Sequence, residues 1–303
     1  MIESIHSYMK VGLVSFMAYP FLMKGEGDVF GTIKKLATDE FFTAIEVTWI
    51  KDPGVREQVA RLLATSKMTV AYGVNPKIGP TGFNINDTDE EGRRAAVACM
   101  KEGIDEAYEL GARGFAFCSN KYDETRKEDA FASLVKSTAE LCTHAKSRGD
   151  MQVVLEVFDY DVDKRCLIGP AELARRYAQE VSKDYDNFGL MVDLSHLPLL
   201  RETAEEAIVP VRDHLVHAHM GNAVCADPSL VAYGDTHPRF GFPNSANDVA
   251  ELAHYLRVLL DTGFLNTGNR PIVSFEVKPW GDEDPDAVVA SCKRTLNEAW
   301  ARV

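Results

Sequence analysis

The chain has 303 residues and a formal net charge of −13, from 33 Lys+Arg against 46 Asp+Glu. With 46% hydrophobic and 26% charged residues, it has the make-up of a soluble globular chain, which excludes a disordered, collagen-like or disulfide-scaffold protein. So acidic a surface repels phosphate backbones, and nucleic acid is not expected as a partner.

The start, Met1 to His6, lacks a signal-peptide pattern, and the apolar run at 11–23 is too short for a membrane span and contains Pro20. Cysteines at Cys99, Cys118, Cys142, Cys166, Cys225 and Cys292 form no C-x-x-C pair. A reduced, cytoplasmic setting without a membrane partner is therefore expected.

Beyond the start, short apolar runs alternate with amphipathic ones. A strand at 11–16 precedes a helix at 29–37, and 43–48 precedes 54–64. Strands at 68–74 and 114–118 are followed by helices at 89–110 and 126–148. In the second half, strands at 152–157, 188–193, 214–220 and 271–277 are followed by helices at 170–181, 202–209, 248–262 and 284–301. The strands are rich in β-branched and aromatic residues, several nearly continuously apolar, as in a parallel sheet buried on both faces. Asp87 or Thr88 would cap the third helix, and Asp284-Pro285 opens the last. Gly111 and Gly263 follow helical runs as stops.

Eight strands in strict alternation with eight helices predict an α/β fold, a (β/α)8 TIM barrel, with residues 1–303 as a single domain. The longest irregular stretch, 221–247, holds Asp235, His237 and Arg239 together with glycines. It is expected to close over a substrate as a lid.

Catalytic groups of such barrels sit at the C-terminal ends of the strands. Strands five to eight end in Glu156, Asp193, His219 and Glu276. Three carboxylates at close range repel one another unless something positive lies among them, and a divalent cation with oxygen and imidazole ligands supplies it. A mixed set of this kind suits Mn²⁺, with Mg²⁺, Co²⁺ or Fe²⁺ as alternatives. His217 shares the face of His219, since side chains alternate with period two, so it is either a hydrogen-bond partner of a carboxylate or a substrate contact. Lys278 shares the face of Glu276 and either steadies an oxyanion or pairs with Asp282 or Glu283. His237 and Arg239 are read as substrate contacts, and Glu46, Trp49 and Asn75 as residues of the mouth.

The pattern of a Glu, D-x-x-H, H-x-H-x-G and a second Glu, here Glu156, Asp193 with His196, His217/His219 with Gly221, and Glu276, resembles the xylose isomerase-like barrel superfamily of sugar isomerases and epimerases. The resemblance spans essentially the whole chain. It implies Glu156, Asp193, His219 and Glu276 as metal ligands and places His196 against the substrate or behind a ligand. It implies isomerisation or epimerisation of a keto or aldo sugar, with the cation holding the enediolate while Glu156 and Glu276, assisted by His196, move a proton beside the carbonyl.

Ketose 3-epimerases of this group carry a Glu six residues after the first ligand and an Arg six after the His ligand. Val162 and Cys225 stand there in this chain, which argues against a free ketohexose unless Asp159 or Arg239 substitutes. The alternative is a lyase acting on 3-keto glycosides, resembling the large subunit of C-glycoside-cleaving enzymes. The expected partners are a sugar and either further copies of the chain or a small subunit. Asp235 and His237 resemble an extra metal pair of the endonuclease branch. That branch also draws histidines from its first strands, and the first half here has only His6 and His144, neither at a strand end.

Overall fold

The structure is a computed structural model that describes residues 3–303. A parallel pair of strands needs a crossover between them, and the helices supply it. The strands are β1 Lys10–Leu13, β2 Ala44–Val47, β3 Thr69–Gly73, β4 Ala112–Cys118, β5 Gln152–Glu156, β6 Phe188–Asp193, β7 Leu215–Gly221 and β8 Ile272–Glu276. Each is followed by its principal helix: α1 Val29–Ala37, α2 Pro53–Thr65, α3 Glu90–Glu109, α4 Lys127–Arg148, α5 Ala171–Val181, α6 Ala204–Ile208, α7 Val249–Asp261 and α8 Pro285–Trp300.

Hydrogen-bonded neighbours run β1-β8-β7-β6-β5-β4-β3-β2, all parallel. The remaining seam, between β1 and β2, is crossed by one bridge, Val14 with Glu46, and by the Thr43 amide donating to Val11 O. The sheet is thus a nearly closed barrel and a single domain. Val11, Leu13, Phe115, Phe117, Leu190 and Phe275 are buried in the main core. Inside, Ala116, Val154 and Met191 pack as a separate apolar layer. The inward positions at the ends of β2, β5, β6, β7 and β8 are left to polar side chains, Glu46, Glu156, Asp193, His219 and Glu276.

The expected elements are present, with shifted ends. The first strand stops at Leu13, and Ser15–Ala18 turns into a short helix. Ser15 Oγ donates to Glu46 O at 2.7 Å, which draws the chain off the strand at the seam. Neither Asp87 nor Thr88 caps α3: Asp89 accepts from Gly92 N, while Asp87 accepts from the Asp89 amide. Glu202 lies outside α6, which starts after a capping box of Thr203 and Glu206. Asp284 caps α8 with Pro285 in its first turn, and Gly111 and Gly263 take the left-handed conformation after α3 and α7. No helix among the described residues is long and apolar enough to cross a membrane.

Candidate active site

Glu156, Asp193 and Glu276 are the last residues of β5, β6 and β8, and His219 lies two before the end of β7. All four are buried. Each can offer one ligand atom such that all four atoms lie within 4.8 Å of one another. Glu156 Oε1, Asp193 Oδ2, His219 Nδ1 and Glu276 Oε2 are buried without a hydrogen-bond partner. His219 Nδ1 comes within 2.7 Å of Glu276 Oε2 and 3.4 Å of Glu156 Oε1, yet makes no hydrogen bond with either. Four unpartnered polar atoms facing one point are costly unless a cation serves them all, and three oxygens with one imidazole nitrogen suit a divalent first-row ion.

Two residues set this geometry from outside the cluster. Glu46, the inward carboxylate of β2, accepts from His217 Nε2 at 2.8 Å and from His219 Nε2 at 2.9 Å. Burial would raise the Glu46 carboxyl, but the two imidazoles overcome it and hold the group well below the usual range. With a cation held, the anion would fix the His219 tautomer, keeping the proton on Nε2 and leaving the Nδ1 lone pair for the cluster. Gly221 is the second. A β-carbon there would lie 2.9 Å from Asp193 Oδ1 and 3.0 Å from both Asp193 Oδ2 and Glu276 O. The glycine of H-x-H-x-G is thus the space into which Asp193 fits.

Charge is unevenly distributed among the ligands. Burial, joined by the charge of Glu276, pushes Glu156 up to about 7. Burial acts on Glu276 too, but His237 and His219 outweigh it and hold that carboxyl low. Burial would lower His219, yet Glu46 and Glu276 raise it well above the ordinary imidazole value.

A second group adjoins the first. Asp235 Oδ1 lies 2.7 Å from His237 Nε2 and 3.3 Å from His196 Nε2, and all three residues are buried. His237 Nδ1 is 3.6 Å from Asp193 Oδ2, which links the two groups. Asp193, His196 and His237 likewise offer ligand atoms within 4.8 Å of one another, so this group could hold a second cation. His6 and His144 stay outside the centre: His6 lies against Phe41 and His144 against Asp105.

A cavity of about 750 Å³ opens above these groups, and Glu276, His237, Asp235 and Lys278 belong to its wall. Three expected substrate contacts do not. Arg239 binds Glu283 Oε1 at 2.8 Å and packs over Phe242, away from the cavity. His217 is turned to Glu46. His196 lies under the Phe158 ring, 4.2 Å between centroids, with Nδ1 bonded to Val157 O at 2.8 Å. Asp159 does not replace the absent Glu, since its carboxylate accepts from the amides of Val162, Asp163 and Lys164. Lys278 is free of the expected pairing, because Glu283 is taken by Arg239 and the Lys278 ammonium has no ion pair among the described residues. Its amide donates to His237 O at 2.6 Å.

Sequence reasoning passed over Asn120, Lys121, Lys164 and Phe158, which also line the cavity; they come from loops without a periodic signal. The 221–247 loop is more anchored than a free lid. Asn222 bonds Arg239 O and Ser245 Oγ, Asn247 bonds Leu194 O and Gly221 O, and Lys164 reaches Asp235 O. Its continuously uncovered part is the short run around 226–231.

A sequence family described as xylose isomerase-like TIM barrel matches residues 36–295. Among solved structures, a D-tagatose 3-epimerase-like protein superimposes with a TM-score of 0.70 at 19% identity, covering 97% of this chain and 97% of that one. A D-psicose 3-epimerase from Clostridium cellulolyticum H10 gives 0.68 at 19%, over 97% and 99%. A 3-keto-D-glucoside 4-epimerase from E. coli gives 0.66 at 17%, over 95% and 99%. No curated protein matches the sequence. At such identities the superpositions establish a shared fold.

Proposed function

Because the chain belongs to the xylose isomerase-like TIM barrel family, we propose that it is a divalent-cation-dependent epimerase or isomerase of a keto sugar or sugar derivative. The observation that carries this reading is the set of four unpartnered ligand atoms at the base of a cavity whose wall includes Glu276. The solved neighbours named as sugar epimerases support it. Glu156, Asp193, His219 and Glu276 would hold the cation, which polarises a carbonyl and makes the neighbouring C–H acidic.

The protein's own groups then divide the work. Glu276, kept ionised by His237 and His219, takes the proton from the carbon beside the carbonyl. Glu156, three strands away, returns one from the other flank. Two carboxylates on opposite flanks of the substrate carbon make such an acid/base pair. Lys278 places an unpaired ammonium on the wall, suited to an oxyanion. Manganese is the first ion to supply.

The cavity also has room for a substituent on the sugar, which favours a second reading: the same base could expel a β-substituent, as a lyase acting on 3-keto glycosides. A screen of keto sugars and 3-keto glycosides with added Mn²⁺ in D₂O, followed by NMR, separates the two. Deuterium at the carbon beside the carbonyl, with the skeleton intact, is expected. Release of an aglycone instead establishes the lyase, and no cation-dependent exchange with any substrate refutes both.

A further inference from the structure

The cavity lining is mixed. Asn120, Lys164, Thr236, His237 and Lys278 lie on the walls above β4, β5, β7 and β8. Phe16, Met17, Met23, Ile78, Phe83 and Trp280 give the cavity a large apolar lining, with Asn75 and Asn84 beside Ile78 and Phe83. Most of these come from the short segments that follow β1 and β3, and Trp280 follows β8. A sugar hydroxyl laid on these apolar side chains would lose water and gain no partner.

The wall is held in place. A β-carbon at Gly73 would come within 2.7 Å of Phe16 Cζ, so the glycine at the end of β3 lets the Phe16 ring lie across the mouth. Trp280 donates its amide to Glu283 Oε2 at 3.0 Å and packs edge-on to Phe242, 6.3 Å between centroids. Phe83, at 39% exposure, is one of the few large apolar side chains left this open to water. It is continuous, through the same cavity, with Glu276.

Size points the same way. Cavities of roughly 300–1,000 Å³ bury drug-sized ligands, and this one, at about 750 Å³, exceeds what a single sugar ring needs.

We propose that the outer half of the cavity is an aglycone subsite, so that the substrate is a keto glycoside with an aromatic or aliphatic substituent rather than a free keto sugar. The sugar ring sits against the polar walls near Glu276, and the substituent lies along Phe16, Ile78 and Phe83. This assignment rests on the sugar reading above, deepens it, and is separable from it by experiment.

The test uses the cation-loaded, full-length protein in two arms. In the first, calorimetry measures binding of phenyl β-glucoside and methyl β-glucoside, which need no turnover. The phenyl compound is expected to bind about tenfold tighter, the upper end for one added aromatic contact. Phe83→Ala should remove most of that difference while leaving cation content and far-UV circular dichroism unchanged. Equal binding of both glucosides overturns the subsite, as does a preference untouched by Phe83→Ala. In the second arm, deuterium exchange is followed in the 3-keto forms of the same glucosides and in free ketoses. Exchange with no advantage for the phenyl form over the free ketose overturns the subsite and leaves the epimerase reading standing. Phenyl-selective binding with no exchange in any keto sugar overturns the epimerase reading and leaves the subsite standing.

Discussion

The two halves of this barrel share a backbone plan and differ in what their strands end with. β5, β6 and β8 end on Glu156, Asp193 and Glu276, and β7 carries His219. β1, β2, β3 and β4 end on Leu13, Val47, Gly73 and Cys118. The inward carboxylate of the first half, Glu46, serves the other half by holding His217 and His219. Clustered carboxylates are tolerable only where one cation can answer all of them, so the reactive groups concentrate on adjacent strands. Walls have no such constraint, and most of the apolar lining comes from loops of the first half, joined by Phe158 and Trp280.

If the division is real, the largest effects belong to the second half. Asp193→Ala removes a ligand and should abolish stoichiometric cation binding, read by elemental analysis of cation-loaded protein. Exchange activity should fall by more than about a hundredfold, beyond the range of outer partners. Glu156→Gln and Glu276→Gln keep the shape but cannot accept a proton. Each should stop exchange even where cation content is restored by excess Mn²⁺. Full cation content in Asp193→Ala, or wild-type exchange in either Gln variant, would break the comparison at its centre.

Next come the residues that act through the ligands. Glu46→Gln loses the anion that fixes the His219 tautomer, and a drop of about 10–100-fold in cation affinity is expected. Gly221→Ala should do the same by a different route, because its β-carbon meets the Asp193 carboxylate and the Glu276 backbone oxygen. Calorimetric titration with Mn²⁺ measures both. Unchanged affinity in Glu46→Gln would make that residue part of the first half's scaffold and nothing more.

The readable parts of the site were those governed by a period. Side chains alternate along a strand, and the last inward residue of a barrel strand faces the mouth, so Glu156, Asp193, His219 and Glu276 follow from the chain alone. Glu46 was visible as a strand-end carboxylate, but its bond to two histidines more than 170 positions away depends on how the barrel closes. Between 234 and 239 no period applies. Gly234 and His237 have positive φ, at 96° and 52°, and while Asp235 and His237 turn inward, Arg239 points to Glu283. Phe16 read as the end of a strand and became a cavity wall because the strand yields to a helix at the seam.

A smaller effect, in pH, sharpens the comparison. In the cation-free protein Glu46 and Glu276 favour the protonated imidazole of His219, so cation uptake must displace the Nδ1 proton. Below about 7 it must also displace one from Glu156. The sign follows: protons compete with the cation, so affinity rises with pH and does so more steeply below about 7 than above it. Calorimetry in two buffers of different ionisation enthalpy should show proton release at neutral pH, increasing toward pH 6. Pairs in the first half, such as Arg93 with Glu90 and Glu140, take no part in this linkage. A pH-independent affinity would mean that the ligands are not protonated before the cation arrives.

The smallest expected effect tests the other side of the division, that changes in the first half reach stability and not the cation. Asp89 caps α3, its carboxylate accepting from the Gly92 amide at 3.0 Å. The helix crosses from β3 to β4, and none of the ligands lies on it or on those strands. Asp89→Ala leaves an orphan amide at the start of a 20-residue helix, a loss of about 1 kcal/mol. The urea midpoint of the metal-free protein should fall accordingly. Mn²⁺ stoichiometry and affinity should stay at wild-type values, since the ligand strands keep their own pairing. A lost cap that also weakened the cation would show that the ligand geometry depends on the tightness of the whole ring, including the single-bridge seam between β1 and β2. The two halves would then be one mechanical unit, and the contrast between them would be chemical only.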